Sequence, residues 1–138
     1  MQDQRPGEVN LSKPKAGNRR RKDEPVTFET VRQLALALPG VEEGKAYGTP
    51  AFRVGGKFLV RHREDDEIAI RVGFAAREVL MGTDPDTFYI SEHYLRYPAM
   101  LIRLSRVDRE DLRRLLEEAW RSYASKRMLA AFEESGTR

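Results

Sequence analysis

Basic side chains alternate with apolar ones along the predicted strands, a spacing that could contact a phosphate backbone. Successive side chains of a strand point to opposite faces of a sheet, so the alternation gathers the basic ones on one face. That face would carry six bases, one acid and one tyrosine: Arg53, Lys57, Arg61, Arg63, Glu67, Arg71, Tyr89 and Arg103. We interpret all of these except Glu67 as candidates for binding nucleic acid, with phosphate contacts and a stacked base. The alternative is an ordinary solvent-facing sheet whose arginines pair with Glu67.

A second group of polar and aromatic residues lies in two segments that the strand order could bring together. Its members are Tyr47, Thr49, Glu92, His93, Tyr94 and Tyr97. Tyr47, Thr49, His93, Tyr94 and Tyr97 could line a pocket for a small ligand. The alternative is that the tyrosines anchor a long loop while Gly48 and Thr49 shape the entry to a strand.

Residue types that serve catalysis or bind metals are scarce. The chain has no cysteine, and its two histidines, His62 and His93, have no further ligand at metal-binding spacing. His62 falls on the apolar side of its strand. The sequence contains no serine nucleophile elbow, no glycine-rich phosphate loop and no glycine-rich dinucleotide-binding motif. The sequence therefore predicts no catalytic residues, no metal and no cofactor.

The positive charge is concentrated at the N-terminus. The chain has 25 Lys and Arg against 22 Asp and Glu, and residues 1–25 hold seven of the bases and four of the acids. The remainder is neutral, so it lacks a global field that would steer nucleic acid. We predict a disordered basic tail over residues 1–25 and one domain over residues 26–138. The run Arg19 to Lys22 could contact phosphates or serve as a solvated segment.

No signal peptide or membrane-spanning segment is visible in the sequence. This favours a cytoplasmic protein.

Hydrophobic periodicity divides the domain into short elements. Apolar residues at helical spacing from Phe28 to Leu38 follow a Thr27 N-cap and end at Pro39-Gly40. Three strands follow, joined by hairpins at Gly55-Gly56 and at an acidic turn. The remaining elements are a helix over Phe74–Met81, strands at 87–90 and 99–104, and a helix that starts at an Asp108 cap and breaks near Ser125.

This order predicts an α+β fold, with an antiparallel sheet and its helices on one face. The residues expected to face the helices are Phe52, Val54, Phe58, Val60, Ile68, Ile70, Val72, Phe88, Ile90, Met100, Ile102 and Leu104.

Several turn motifs occur in an order that resembles the MmcQ/YjbR family. They are Leu38-Pro39-Gly40-Val41-Glu42-Glu43-Gly44, then Tyr47-Gly48-Thr49-Pro50-Ala51-Phe52 with Arg53 to Lys57, then Asp84-Pro85-Asp86-Thr87-Phe88-Tyr89, Tyr97-Pro98 and the Leu112 to Trp120 helix. The resemblance runs from about Val31 to Arg127. It implies a small α+β domain of the secretion-chaperone-like type and a DNA-binding role in which two hairpins act as wings.

On this sequence the first wing would be the Gly55-Gly56 turn, which Arg53 and Lys57 flank. The second wing departs from the pattern, because its tip is the acidic run Glu64 to Glu67, which repels phosphate. Our hypothesis is a non-enzymatic protein that binds DNA with low sequence specificity through the first wing and the basic face. The alternatives are a protein-interaction or chaperone-like module and a small-ligand binder. The oligomeric state does not follow from the sequence.

Overall fold

The computed structural model describes residues 25–136, so the predicted tail lies outside the described residues apart from Pro25. Four α-helices and six β-strands follow one another along the chain. In chain order they are α1 (Phe28–Leu36), β1 (Val41–Ala46), β2 (Thr49–Val54), β3 (Lys57–Glu64), β4 (Glu67–Arg71), α2 (Phe74–Thr83), β5 (Phe88–Tyr89), β6 (Ala99–Arg103), α3 (Arg109–Arg121) and α4 (Lys126–Gly136). A short 3-10 helix, Glu92–Tyr94, lies between β5 and β6.

All six strands form one antiparallel sheet in the order β1-β2-β3-β4-β6-β5. The predicted α+β fold is confirmed. The segment Val41–Ala46, however, was not among the predicted strands, and it forms strand β1 beside β2. Its four central residues, Glu42 to Lys45, are exposed on both faces of the sheet. A strand that buries neither face shows no apolar alternation, so its sequence resembles a loop.

The main core lies between one face of the sheet, hereafter the helix face, and helices α1 and α3. Fully buried residues of these helices include Val31, Ala35, Leu112, Leu116 and Trp120. Asp108 caps α3 by accepting hydrogen bonds from the amides of Glu110 (3.0 Å) and Asp111 (3.3 Å), as predicted. The predicted break near Ser125 is also confirmed, since α3 ends at Arg121 and α4 starts at Lys126. No helix within residues 25–136 is long and apolar enough to cross a membrane.

A bulge in β3 changes which side chains reach the opposite face, hereafter the free face. Phe52 pairs with Val60 but Arg53 pairs with Phe58, so Leu59 is an extra residue in β3. Both Leu59 and Val60 are fully buried in the main core. The expectation that Phe58 faces the helices is therefore wrong, and Phe58 packs in a second, smaller cluster on the free face.

Two further face predictions are corrected. Lys57 pairs with the core residue Val54 and so lies on the helix face, because it precedes the bulge. Ile90 packs with the free-face cluster rather than the main core. The strand β5 ends at Tyr89, so strand alternation does not extend to Ile90.

Candidate functional site

Arg61 is the centre of a cluster on the free face that joins residues from three distant parts of the chain. It lies on β3 opposite Ala51 of β2. Its Nη1 donates to Thr49 Oγ1 (3.2 Å), its Nη2 donates to Tyr94 Oη (3.4 Å), and its guanidinium lies 5.0 Å from the centre of the Tyr47 ring. We call Tyr47, Thr49, Arg61 and Tyr94 the Arg61 cluster. Each of the three partners offers a neutral oxygen or ring, so none of them neutralises the guanidinium.

Tyr47 reaches the cluster from the turn between β1 and β2. Both central residues of that turn have positive φ, 55° at Tyr47 and 83° at Gly48, which the right-handed twist of a tight hairpin requires. A side chain in this conformation costs roughly 1–2 kcal/mol. The strained backbone presents a tyrosine ring that is 86% exposed although it stacks on Arg61.

Thr49 and Tyr94 hold Arg61 from opposite sides. The Thr49 hydroxyl donates to the carbonyl of Ala46 (3.0 Å), which leaves its oxygen to accept from Arg61. Tyr94 is buried in the free-face cluster, and its 3-10 helix lies across β4 and β6. These contacts fix the guanidinium in one place on the sheet.

Tyr94 is held in position by a buried arginine, Arg77, which was not among the residues predicted from the sequence. Arg77 on α2 is 4% exposed, and its Nη1 donates to the carbonyls of Tyr94 (3.0 Å), Tyr97 (2.8 Å) and Ala99 (2.9 Å). Its Nη2 donates to the carbonyl of Leu95 (3.0 Å). Arg77 therefore ties the whole segment 94–99 to α2. The signal in the sequence was a base three residues before Leu80 and four before Met81, the two residues of this short helix that pack against the main core.

The other predicted phosphate-binding residues are not all gathered with Arg61. Lys57 and Arg71 meet at the ring of Tyr123, which follows α3, with their charged groups 5.8 Å and 5.5 Å from the ring centre. Arg63 forms an ion pair with Glu67, as the alternative interpretation expected, and lies 5.8 Å from the Tyr94 ring centre. The structure thus brings part of the predicted basic face together and moves Lys57 and Arg71 away.

Arg103 and Tyr89 form a separate pair on the free face, toward the β5 edge of the sheet. The Arg103 guanidinium lies 4.6 Å from the Tyr89 ring centre and donates to the carbonyl of Asp86 (3.3 Å). Burial raises the pKa of the Tyr89 phenol; the nearby Glu67 carboxylate adds to this rise, whereas Arg103 opposes it. The pair borders a depression of about 480 Å³ whose remaining lining residues are Glu64, Asp65, Asp66 and Glu67. Such an acidic rim disfavours phosphate.

Of the predicted small-ligand residues, Tyr47, Thr49 and Tyr94 belong to the Arg61 cluster, and His93 and Tyr97 form a patch beside it. His93 packs edge-on against Tyr94 with ring centres 4.8 Å apart, and lies 5.9 Å from the ring centre of Tyr97. Tyr97 is 58% exposed. Tyr47 and Thr49 contact Arg61, and Arg61 contacts Tyr94, so Arg61 connects the two predicted groups. Within residues 25–136 no three His, Asp or Glu side chains are placed to hold a metal ion.

Arg61 and Arg53 are free-face cations without an ion-pair partner among residues 25–136, although Glu42 of β1 lies opposite Arg53 in the sheet. Arg53 lies on β2, opposite Phe58. Across the part of the chain that the structure describes, neither guanidinium has a carboxylate within ion-pair distance. A cation held by neutral groups keeps its full charge for an external anion.

Comparison with known proteins identifies relatives whose roles are not described. The chain is 32% identical over 125 residues to the uncharacterized proteins Rv2570 of Mycobacterium tuberculosis and Mb2600 of Mycobacterium bovis, in matches that cover 77% of this chain and 95% of each relative. The fold is similar to the crystal structure of Deinococcus radiodurans protein DR2400, a DUF419 domain, with a TM-score of 0.62, 19% identity and coverage of 80% and 88% of the two chains. The YjbR family model matches residues 36–122. The resemblance seen in the turn motifs is thereby confirmed, and this chain belongs to the YjbR family.

Proposed function

We propose that this protein binds nucleic acid with low sequence specificity, and that the Arg61 cluster is its principal contact. The observation that carries the proposal is the guanidinium of Arg61, which neutral groups hold in place beside an exposed aromatic ring. An arginine fork donates two parallel hydrogen bonds to a phosphate. The Tyr47 ring offers a face on which a base can stack.

The Gly55-Gly56 turn extends the proposed interface. Its φ values, 59° and 79°, form a tight hairpin, and a Cβ at either glycine would meet no atom within 4 Å. A phosphate backbone can therefore approach the turn closely, with Arg53 just before it. Successive hairpins of a meander alternate between the ends of a sheet, so this turn and Tyr47 lie at opposite ends. We infer that the bound strand follows β2 and β3 from one end to the other.

The acidic turn after β3 limits the interface on its other side. Glu64, Asp65 and Asp66 lie at the same end of the sheet as Tyr47 but on the β3–β4 hairpin. Repulsion between these carboxylates and the phosphates would direct a nucleic acid toward β1 and β2. Phosphate and stacking contacts carry little sequence information, so we propose DNA binding without strong base preference and without a chemical reaction.

A titration of fluorescently labelled DNA by anisotropy tests this proposal. We expect Arg61→Ala in the full-length protein to weaken binding about tenfold, since a charged hydrogen bond to phosphate is lost. Arg109→Ala is the matched control, because it removes the same charge from an exposed position at the start of α3. A further variant with Arg19 to Lys22 replaced by serine measures the contribution of the N-terminal run. Equal affinity of the Arg61 and Arg109 variants would contradict the proposal.

A protein-interaction module is the second candidate, and one observation favours it. The outer edge of β1 has no partner strand within residues 25–136. Salt distinguishes the two functions, because phosphate binding weakens steeply as salt rises whereas backbone hydrogen bonds between strands depend little on salt.

A further inference from the structure

The outer edge of β1 offers backbone hydrogen-bonding groups to another strand. The two edges of the sheet are β1, with six residues, and β5, with two. The central residues of β1, Glu42 to Lys45, are exposed. Unpaired N–H and C=O groups along such an edge are a template for pairing with a further strand.

We propose that β1 pairs antiparallel with β1 of a second copy of this chain, with Gly44 opposite the partner's Gly44. A two-fold axis perpendicular to the sheet keeps each side chain on its own face. Directly opposed residues of an antiparallel pair also share a face. Both conditions hold only when the axis lies midway between a residue and the same residue of the partner strand. For the exposed centre of β1, this residue is 42, 43, 44 or 45.

Charge selects one of these four registers. Centres at Glu42, Glu43 and Lys45 each place a charged residue directly opposite its own copy, which is unfavourable. The centre at Gly44 places Glu43 opposite the partner's Lys45, and the two-fold axis repeats this pair. Glu43 and Lys45 both lie on the helix face, since Glu43 pairs with Phe52 of β2 and Lys45 is two residues away. The β1 edge is therefore self-complementary in this register alone.

The surroundings of Glu43 and Lys45 support the same pairing. Arg32 of α1 binds Glu29 (2.6 Å) and Glu43 (2.8 Å), which leaves this group with one negative charge. Hydrogen bonding to Arg32 fixes the Glu43 side chain and lowers its pKa. Lys45 has no carboxylate within ion-pair distance among residues 25–136. Each copy thus offers one ordered excess acid and one uncompensated base.

A cysteine at position 44 reports the register directly. The chain has no cysteine, so a single substitution gives an unambiguous cross-link. A Cβ at Gly44 would lie 3.7 Å from Arg53 Nη1, an ordinary contact, and the residue is not among those with positive φ. Directly opposed Cα atoms lie about 4.5–5.5 Å apart, within the range of a disulfide.

We expect full-length Gly44→Cys to form a covalent dimer in a glutathione redox buffer, read by intact mass and non-reducing electrophoresis. Glu42→Cys is the matched control. In the proposed register residue 42 lies opposite the partner's Ala46, about 13 Å from the partner's residue 42, too far for a disulfide. Equal melting temperatures under reducing conditions show that both variants fold. Cross-linking of Gly44→Cys no greater than that of Glu42→Cys would overturn the proposal.

Sedimentation equilibrium tests the charge pairing without cysteine. Lys45→Glu turns two attractive pairs into two repulsive ones, so we expect a dimer about tenfold weaker. Lys126→Glu makes the same change on α4, away from β1, and should leave the dimer unchanged. A wild-type protein that remains monomeric at its highest soluble concentration, or equal weakening by both variants, would refute the pairing. Neither result depends on nucleic-acid binding.

Discussion

Replacing Arg77 with alanine is expected to lower the free energy of unfolding by about 3–4 kcal/mol. The side chain is 4% exposed and donates to the carbonyls of Tyr94, Leu95, Tyr97 and Ala99. Alanine would remove the guanidinium from all four carbonyls, of which those of Tyr94 and Ala99 are in buried contacts, and would leave a cavity between α2 and the segment they belong to. Urea unfolding followed by circular dichroism measures the loss.

The arginine fork, rather than the positive charge alone, should account for this stability. Arg77→Lys keeps the charge, but one ammonium group cannot reach four carbonyls arranged around a planar guanidinium. We expect it to recover less than half of the loss. Exposed Arg109→Ala controls for the removal of an arginine and should change stability by less than about 0.5 kcal/mol. An Arg77→Ala protein as stable as this control would show that the segment 94–99 needs no anchor.

Replacing Trp120 with alanine should lower the free energy of unfolding by about 3–5 kcal/mol. Trp120 is fully buried on α3, its Nε1 donates to the carbonyl of Pro39 (2.7 Å), and its ring centre lies 5.0 Å from that of Phe132 on α4. It therefore joins α3 to the turn after α1 and to α4. Because none of residues 126–135 in α4 is fully buried, the loss of this contact should release α4 first.

Trp120→Phe separates packing from the hydrogen bond. Phenylalanine keeps most of the ring but cannot donate to Pro39, so we expect a loss of about 1–2 kcal/mol. Trp120 is the only tryptophan, so unfolding must be followed by circular dichroism rather than intrinsic fluorescence. Hydrogen exchange reports α4 separately. If Trp120→Ala leaves the amides of α4 as protected as in the wild type, α4 does not depend on this ring.

The elements with a buried face were predictable from sequence, and the exposed strand was not. Helix α3 shows its apolar stripe and its Asp108 cap in the sequence, and both occur. The strand β1 buries no alternating set of side chains, so only its pairing with β2 defines it. The bulge at Leu59 also escaped prediction, because the apolar run from Phe58 to Val60 is compatible with either face.

The candidate site was predicted in two halves that only the tertiary structure joins. Arg61 was selected for its charge, and Tyr47, Thr49 and Tyr94 were selected for a pocket. Strand pairing and the path of segment 92–98 bring them into contact, and neither is encoded in local spacing. Arg77 was overlooked because it binds main-chain carbonyls, which any sequence can supply.

The salt dependence of DNA affinity tests the proposed Arg61 contact most directly. Each phosphate contact contributes about 0.9 to the slope of log affinity against log salt for duplex DNA, and about 0.7 for single strands. We expect full-length Arg61→Ala to show a slope smaller than that of wild type by about this amount, and Arg109→Ala to retain the wild-type slope. Identical slopes for Arg61→Ala, Arg109→Ala and wild type would contradict phosphate binding by the Arg61 cluster.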